Sequence, residues 1–94
     1  MTRPVRVGIA QINPTVGDFE ANSRKIMDRI EEAERRGLEW VIFSELALCG
    51  YPVWDLATRQ GFVETGLSYL ARIAASTGGK KILAVLGFID RGPR

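Results

Sequence analysis

Ninety-four residues, 46% hydrophobic and 26% charged, with a formal net charge of +2 and no histidine, make at most one small globular domain. The missing histidine excludes His-based triads and His-rich metal sites from this stretch. Basic residues alternate with acids, as in Asp28-Arg29-Ile30-Glu31-Glu32, so they read as a solvated helix face and not as a nucleic-acid footprint.

A domain of this size buries only about 60–68% of the surface its unfolded chain exposes, so its core is modest. The single Cys49 cannot form an internal disulfide, and Met1-Thr2-Arg3-Pro4 lacks the apolar stretch of a secretory signal. Both point to the cytoplasm. No segment approaches the ~20 apolar residues needed to cross a bilayer, and no membrane partner is expected.

In chain order, Val5 to Ile12 is mostly apolar and ends at the turn-prone Asn13-Pro14, which predicts a first strand. Asp18 is a good N-cap. Phe19, Ile26, Ile30 and Ala33 then share one face of a helix over Phe19 to Arg36, with Gly37 as its stop. Trp40 to Phe43 is short and wholly apolar, the pattern of a strand covered on both faces. A long loop from Leu46 to Gln60 follows, with one helical turn near Trp54 to Thr58. Such loops are often functional. Phe62, Leu67, Leu70, Ile73 and Ala74 mark a second helix over Phe62 to Thr77, closed by Gly78-Gly79, and Lys81 to Ile89 reads as a third strand.

The order β-α-β-α-β implies a parallel sheet in an α/β fold. Three strands and two helices leave a sheet edge unpaired and cannot easily cover both faces, and the turn-like Gly92-Pro93-Arg94 follows where another strand would begin. The chain therefore reads as the first part of a larger α/β sandwich or as a module that needs a partner.

Glu45 is the first candidate for chemistry. It follows the most apolar run in the sequence, at the carboxyl end of a strand, where open α/β sheets hold their ligands. A glutamate in a partly dehydrated pocket has a raised proton affinity, which suits a general base, and the alternative is a carboxylate that caps or salt-bridges a strand end. Cys49 lies four residues on, but no neighbouring cation or helix N-terminus activates it, and a buried packing residue is the preferred reading. Gly78-Gly79-Lys80-Lys81 misses the phosphate-loop spacing at both ends and reads as a helix stop with basic residues at the dipole's negative end. Asp55 and Glu64 have no ligand cluster around them and are not expected to join Glu45 in a metal site. Trp54 with Asp55 could shape a pocket wall, a subunit contact or a simple loop anchor.

Three stretches together resemble the nitrilase, or carbon–nitrogen hydrolase, superfamily: Ala10 to Asn22 (AQINPTVGDFEAN), Val41-Ile42-Phe43-Ser44-Glu45-Leu46, and Gly50-Tyr51-Pro52. The strings Asn13-Pro14-Thr15-Val16-Gly17-Asp18 and Gly50-Tyr51-Pro52-Val53-Trp54-Asp55-Leu56 are most similar to the glutaminase part of the glutamine-dependent NAD+ synthetases. The resemblance implies that residues 1–94 are a partial carbon–nitrogen hydrolase domain, the N-terminal portion of an αββα sandwich. It also implies a Glu-Lys-Cys triad in which Glu45 matches the general base, and it places Tyr51 near a glutamine pocket. Ser44 stands where the family commonly has proline, and Glu45 remains in register.

The family's Lys-x-x-Leu-Pro-x-Tyr-like segment and its cysteine after an acidic dipeptide do not occur here, and Lys80, Lys81 and Cys49 do not replace them. The resemblance thus implies a segment of a glutamine amidohydrolase that supplies ammonia for ATP-dependent amidation of deamido-NAD. The isolated chain is expected to be inactive. Glutamine, the rest of the glutaminase domain and a synthetase domain are the implied partners, in a homo-oligomer when complete. No cofactor is implied for this segment; ATP and magnesium are implied only for the synthetase domain, whose pyrophosphate loop is absent from the sequence. A stand-alone amidase of the same superfamily and a non-catalytic association module are the alternatives.

Overall fold

The computed structural model describes residues 3–53, 56, 58–59 and 61–90. Expectations for Trp54, Asp55 and Gly92-Pro93-Arg94 fall outside these residues. The elements are β1 (Val7–Ala10), α1 (Phe19–Arg35), β2 (Trp40–Phe43), α2 (Phe62–Ser76) and β3 (Leu83–Val85), in the order the sequence predicts.

Local chemistry sets both ends of α1. The Asp18 carboxylate accepts the Ala21 N–H at 3.1 Å, which satisfies one of the donors a helix start leaves open. At the other end Gly37 takes φ +73°, and the Leu38 and Gly37 N–H groups donate back to the Ala33 and Glu34 carbonyls at 3.0 and 3.1 Å. That is a Schellman closure, and the left-handed residue at its centre is the reason for a glycine there.

The sheet is parallel throughout, in the order β1-β2-β3. Val7 pairs with Trp40 and Ala10 with Phe43, while Trp40 pairs with Leu83 and Ile42 with Val85. The outer strands are shorter than the apolar runs Val5–Ile12 and Lys81–Ile89 suggest. The central strand has four residues, and among the described residues beyond them only Glu39 bonds its neighbours, donating to the Arg6 carbonyl and accepting the Leu83 N–H, each at 2.9 Å.

Both helices lie on one side of the sheet. Phe19, Asn22, Ser23, Ile26, Ile30 and Ala33 form the buried face of α1, and Val41 and Phe43 meet it from β2. Helix α2 packs on α1 through Phe19, whose ring centre lies 5.0 Å from Phe62 and 6.1 Å from Tyr69. The opposite face of the sheet carries the aligned rows Val7, Trp40, Leu83 and Ile9, Ile42, Val85, and five of these six side chains are exposed. This corrects the expectation that Trp40 to Phe43 is covered on both faces. Two crossovers of the same hand put their helices on the same side, so among the described residues nothing packs on the other.

Glu39 ties the chain before β1 to the entry of β2. It accepts hydrogen bonds from the Arg3 guanidinium at 2.6 and 3.1 Å and from the Arg6 N–H at 3.2 Å. The Arg3 bonds first, and the Arg6 N–H second, hold its carboxyl below the usual carboxylate range. A carboxyl whose folded value is lowered stabilises the native state at neutral pH, and that stability is lost as the pH falls through the folded value. Urea midpoints should therefore decline between about pH 5 and pH 3, and Glu39→Gln should flatten that decline; an unchanged slope would show that Glu39 contributes nothing to it.

Candidate active site

Because the strands are parallel, the residues that follow them gather at one end of the sheet. Asn13 and Pro14 follow β1, and Ser44 and Glu45 follow β2. With Leu46 and Tyr51 these side chains line an open cleft of about 580 Å³. The structure thus brings together the two residues singled out in the sequence, Glu45 and Tyr51. Lys80 and Lys81 precede β3 and lie at the opposite end. Lys80 Nζ donates to the Ser76 carbonyl at 2.7 Å and pairs with Glu31 at 2.8 Å, as expected of a base at a helix C-terminus.

The cleft floor is a tight turn from Glu45 to Cys49. Ala47 N–H donates to the Ser44 carbonyl at 3.3 Å and Gly50 N–H to the Leu46 carbonyl at 2.7 Å. Ala47, Leu48 and Cys49 are buried at 0, 1 and 3% exposure and plug the turn into the core. Glu45 points the other way. It is exposed, and among the described residues it enters no ion pair and caps no helix. Among the described residues a salt-bridging or capping role for this carboxylate finds no partner. Among the described residues the cleft around Glu45 is open to solvent and not a dehydrated pocket.

Asn22 fixes that floor. Its side chain is fully buried on α1; Nδ2 donates to the Thr15 carbonyl at 2.7 Å and the Leu48 carbonyl at 2.9 Å, while Oδ1 accepts the Thr15 N–H at 2.8 Å. One amide thus joins the loop after β1 to the turn after β2. Gly17 N–H reinforces the junction by donating to the Cys49 carbonyl at 2.9 Å. Gly50, at φ +84°, completes it, since a side-chain carbon there would lie 2.7 Å from Val16 Cα. The sequence reading did not assign Asn22 a role. Its signal was an amide three residues after Phe19 and four before Ile26, on the stripe the core occupies.

Cys49 is a packing residue. Its thiol is buried beside Phe19, Leu48 and Phe62, away from the cleft, and donates to the Gly50 carbonyl at 3.5 Å. Burial pushes the thiol pKa up, which disfavours the nucleophilic thiolate. Among the described residues no three His, Cys, Asp or Glu side chains gather to hold a metal ion, and no helix is long and apolar enough to cross a membrane.

Comparison with known proteins agrees with this architecture. The carbon–nitrogen hydrolase family model matches residues 6–94. The chain belongs to the carbon–nitrogen hydrolase family. A glutamine-dependent NAD(+) synthetase from Thermotoga maritima is 42% identical over 92% of the chain. The crystal structure of a glutamine-dependent NAD(+) synthetase from Cytophaga hutchinsonii superposes with a TM-score of 0.86 at 36% identity over 94% of the chain. An arylacetonitrilase from Aspergillus niger is 33% identical over 96% of the chain and 30% of its own length. The chain spans 15% of the length of each of the two synthetases, so its strands and helices correspond to the N-terminal part of a nitrilase-type fold.

Two outcomes test this description. Asn22→Ala leaves the Thr15 N–H and the Leu48 carbonyl without their partner, while the Thr15 carbonyl keeps the Asp18 N–H at 3.1 Å, and should lower unfolding stability by about 2 to 3 kcal/mol in urea titration, against little change if the amide only fills space. Cys49 should react with a maleimide at least about ten-fold more slowly in the native chain than in denaturant; equal rates would refute its burial.

Proposed function

We propose that this chain is the N-terminal segment of a glutaminase domain in which Glu45 is the general base and Tyr51 borders the glutamine site. The domain supplies ammonia for the ATP-dependent amidation of deamido-NAD to NAD+. The observation that carries this reading is the position of Glu45: a carboxylate exposed in a cleft at the strand ends, on a scaffold similar to two glutamine-dependent synthetases over more than nine-tenths of its length.

Hydrolysis of an amide needs a base to take the proton of the nucleophile and return it to the leaving nitrogen, and one carboxylate can do both. It also needs a nucleophile and a stabiliser for the oxyanion. Cys49 cannot serve as the nucleophile, since its thiol is buried on the far side of the turn. Neither the lysine segment nor the acidic-dipeptide cysteine occurs in these 94 residues. The rest of the glutaminase domain provides both and closes the cleft over Glu45. It also covers the apolar face of β1, β2 and β3. ATP and magnesium act in the synthetase domain, and no residue of this chain is assigned to them.

Incubated alone with glutamine, the 94-residue chain should release no ammonia; measurable release would overturn the division of the triad. In the enzyme that carries the lysine and cysteine segments, Glu45→Gln should lower kcat for glutamine by about 10²- to 10⁴-fold. The likeness to an arylacetonitrilase favours a second reading, an amidase or nitrilase acting alone on a small substrate. Turnover of a small amide or nitrile without turnover of glutamine would establish it.

A further inference from the structure

We propose that Gly87 is a positioning residue for Glu45, required for the space it leaves and not for its backbone freedom. Gly87 lies two residues beyond β3, at the same end of the sheet as the cleft. It is in contact with the main chain of Glu45. A side-chain carbon at Gly87 would lie 3.2 Å from the Glu45 carbonyl carbon, 3.4 Å from its Cα, and closer still to its carbonyl oxygen. The atoms in the way belong to a backbone and cannot rotate aside as a flexible side chain does. Gly87 is not among the glycines with positive φ, so alanine could adopt its conformation without strain. Only the contact with Glu45 forbids it.

Two constraints thus meet on one turn. From α1, Asn22 holds the Leu48 carbonyl. From the segment that follows β3, Gly87 sets how near the chain can come to Glu45 itself. The turn cannot retreat from a new methyl group, because Ala47, Leu48 and Cys49 behind Glu45 are already buried against the core. An added methyl must therefore move the Glu45 peptide sideways, on the order of an ångström, and turn its carboxylate away from the reacting atoms.

The inference rests on Glu45 as general base, and the test separates the two claims. In the chain itself, nuclear Overhauser contacts between the Hα protons of Gly87 and Glu45 should be present. Their absence overturns the placement whether or not any variant folds. Gly87→Ala should shift the Ser44, Glu45 and Leu46 amide resonances most; shifts spread over the whole chain, or absent at Glu45, count against a positioning role.

In the enzyme with the complete triad, Gly87→Ala should lower kcat for glutamine by about 10²-fold with KM changed less than about three-fold. Combined with Glu45→Gln it should lower kcat no further than Glu45→Gln alone, because both changes remove the same proton transfer. Additive losses would show that Gly87 acts elsewhere and overturn the proposal. Full activity of Glu45→Gln would instead refute the base, while the resonance shifts at Glu45 would still report the positioning.

Discussion

The buried amide of Asn22 is the interaction on which the site depends. A polar side chain at 0% exposure is costly unless its donors and acceptor are used, and here three hydrogen bonds of 2.7 to 2.9 Å use them. They run to Thr15 and to Leu48, residues that belong to different loops. Each loop has only a few turn hydrogen bonds of its own, and each supplies side chains to the cleft. Without the amide, the two loops would be joined by the single Gly17 N–H to Cys49 carbonyl bond and by packing, which is less directional.

A parallel sheet explains why those loops meet at all. Every strand enters from the same end and leaves at the other, so Asn13-Pro14, Ser44-Glu45 and Gly87 are delivered to one rim. The helices, stacked on one side through Phe19, Phe62 and Tyr69, support that rim from below. The apolar residues of the other face stand in two register-aligned rows, and exposed contiguous apolar surface of this kind marks an interaction face. The candidate carboxylate and the apolar face are thus both open toward what completes the domain in the proposed function.

Much of this was legible in the residues. Asp18 and Gly37 mark the ends of α1 because caps are local: each needs only a short carboxylate or a left-handed residue at one position. The spacing of Ile26, Ile30 and Ala33 gives the buried stripe. Glu45 stood out through the apolar strand before it, and Cys49 as a packing residue through the lack of any activating neighbour. The lengths of β1 and β3 were not legible, because pairing depends on how far the partner extends and not on the strand's own propensity. Nor was the one-sided cover of β2, whose sequence fits a buried strand while its neighbours leave Trp40 exposed.

The sequence by itself determined the element order, the helix termini, the α1 core stripe and the identity of the candidate base, since each follows from residues within a few positions of one another. Only the tertiary structure decided the roles of Asn22 and Gly87. Asn22 acts on a carbonyl 26 residues away, and Gly87 on a peptide 42 positions earlier (87 minus 45). Contacts across such separations are fixed by how strands and helices pack, which no local pattern of charge or hydrophobicity encodes.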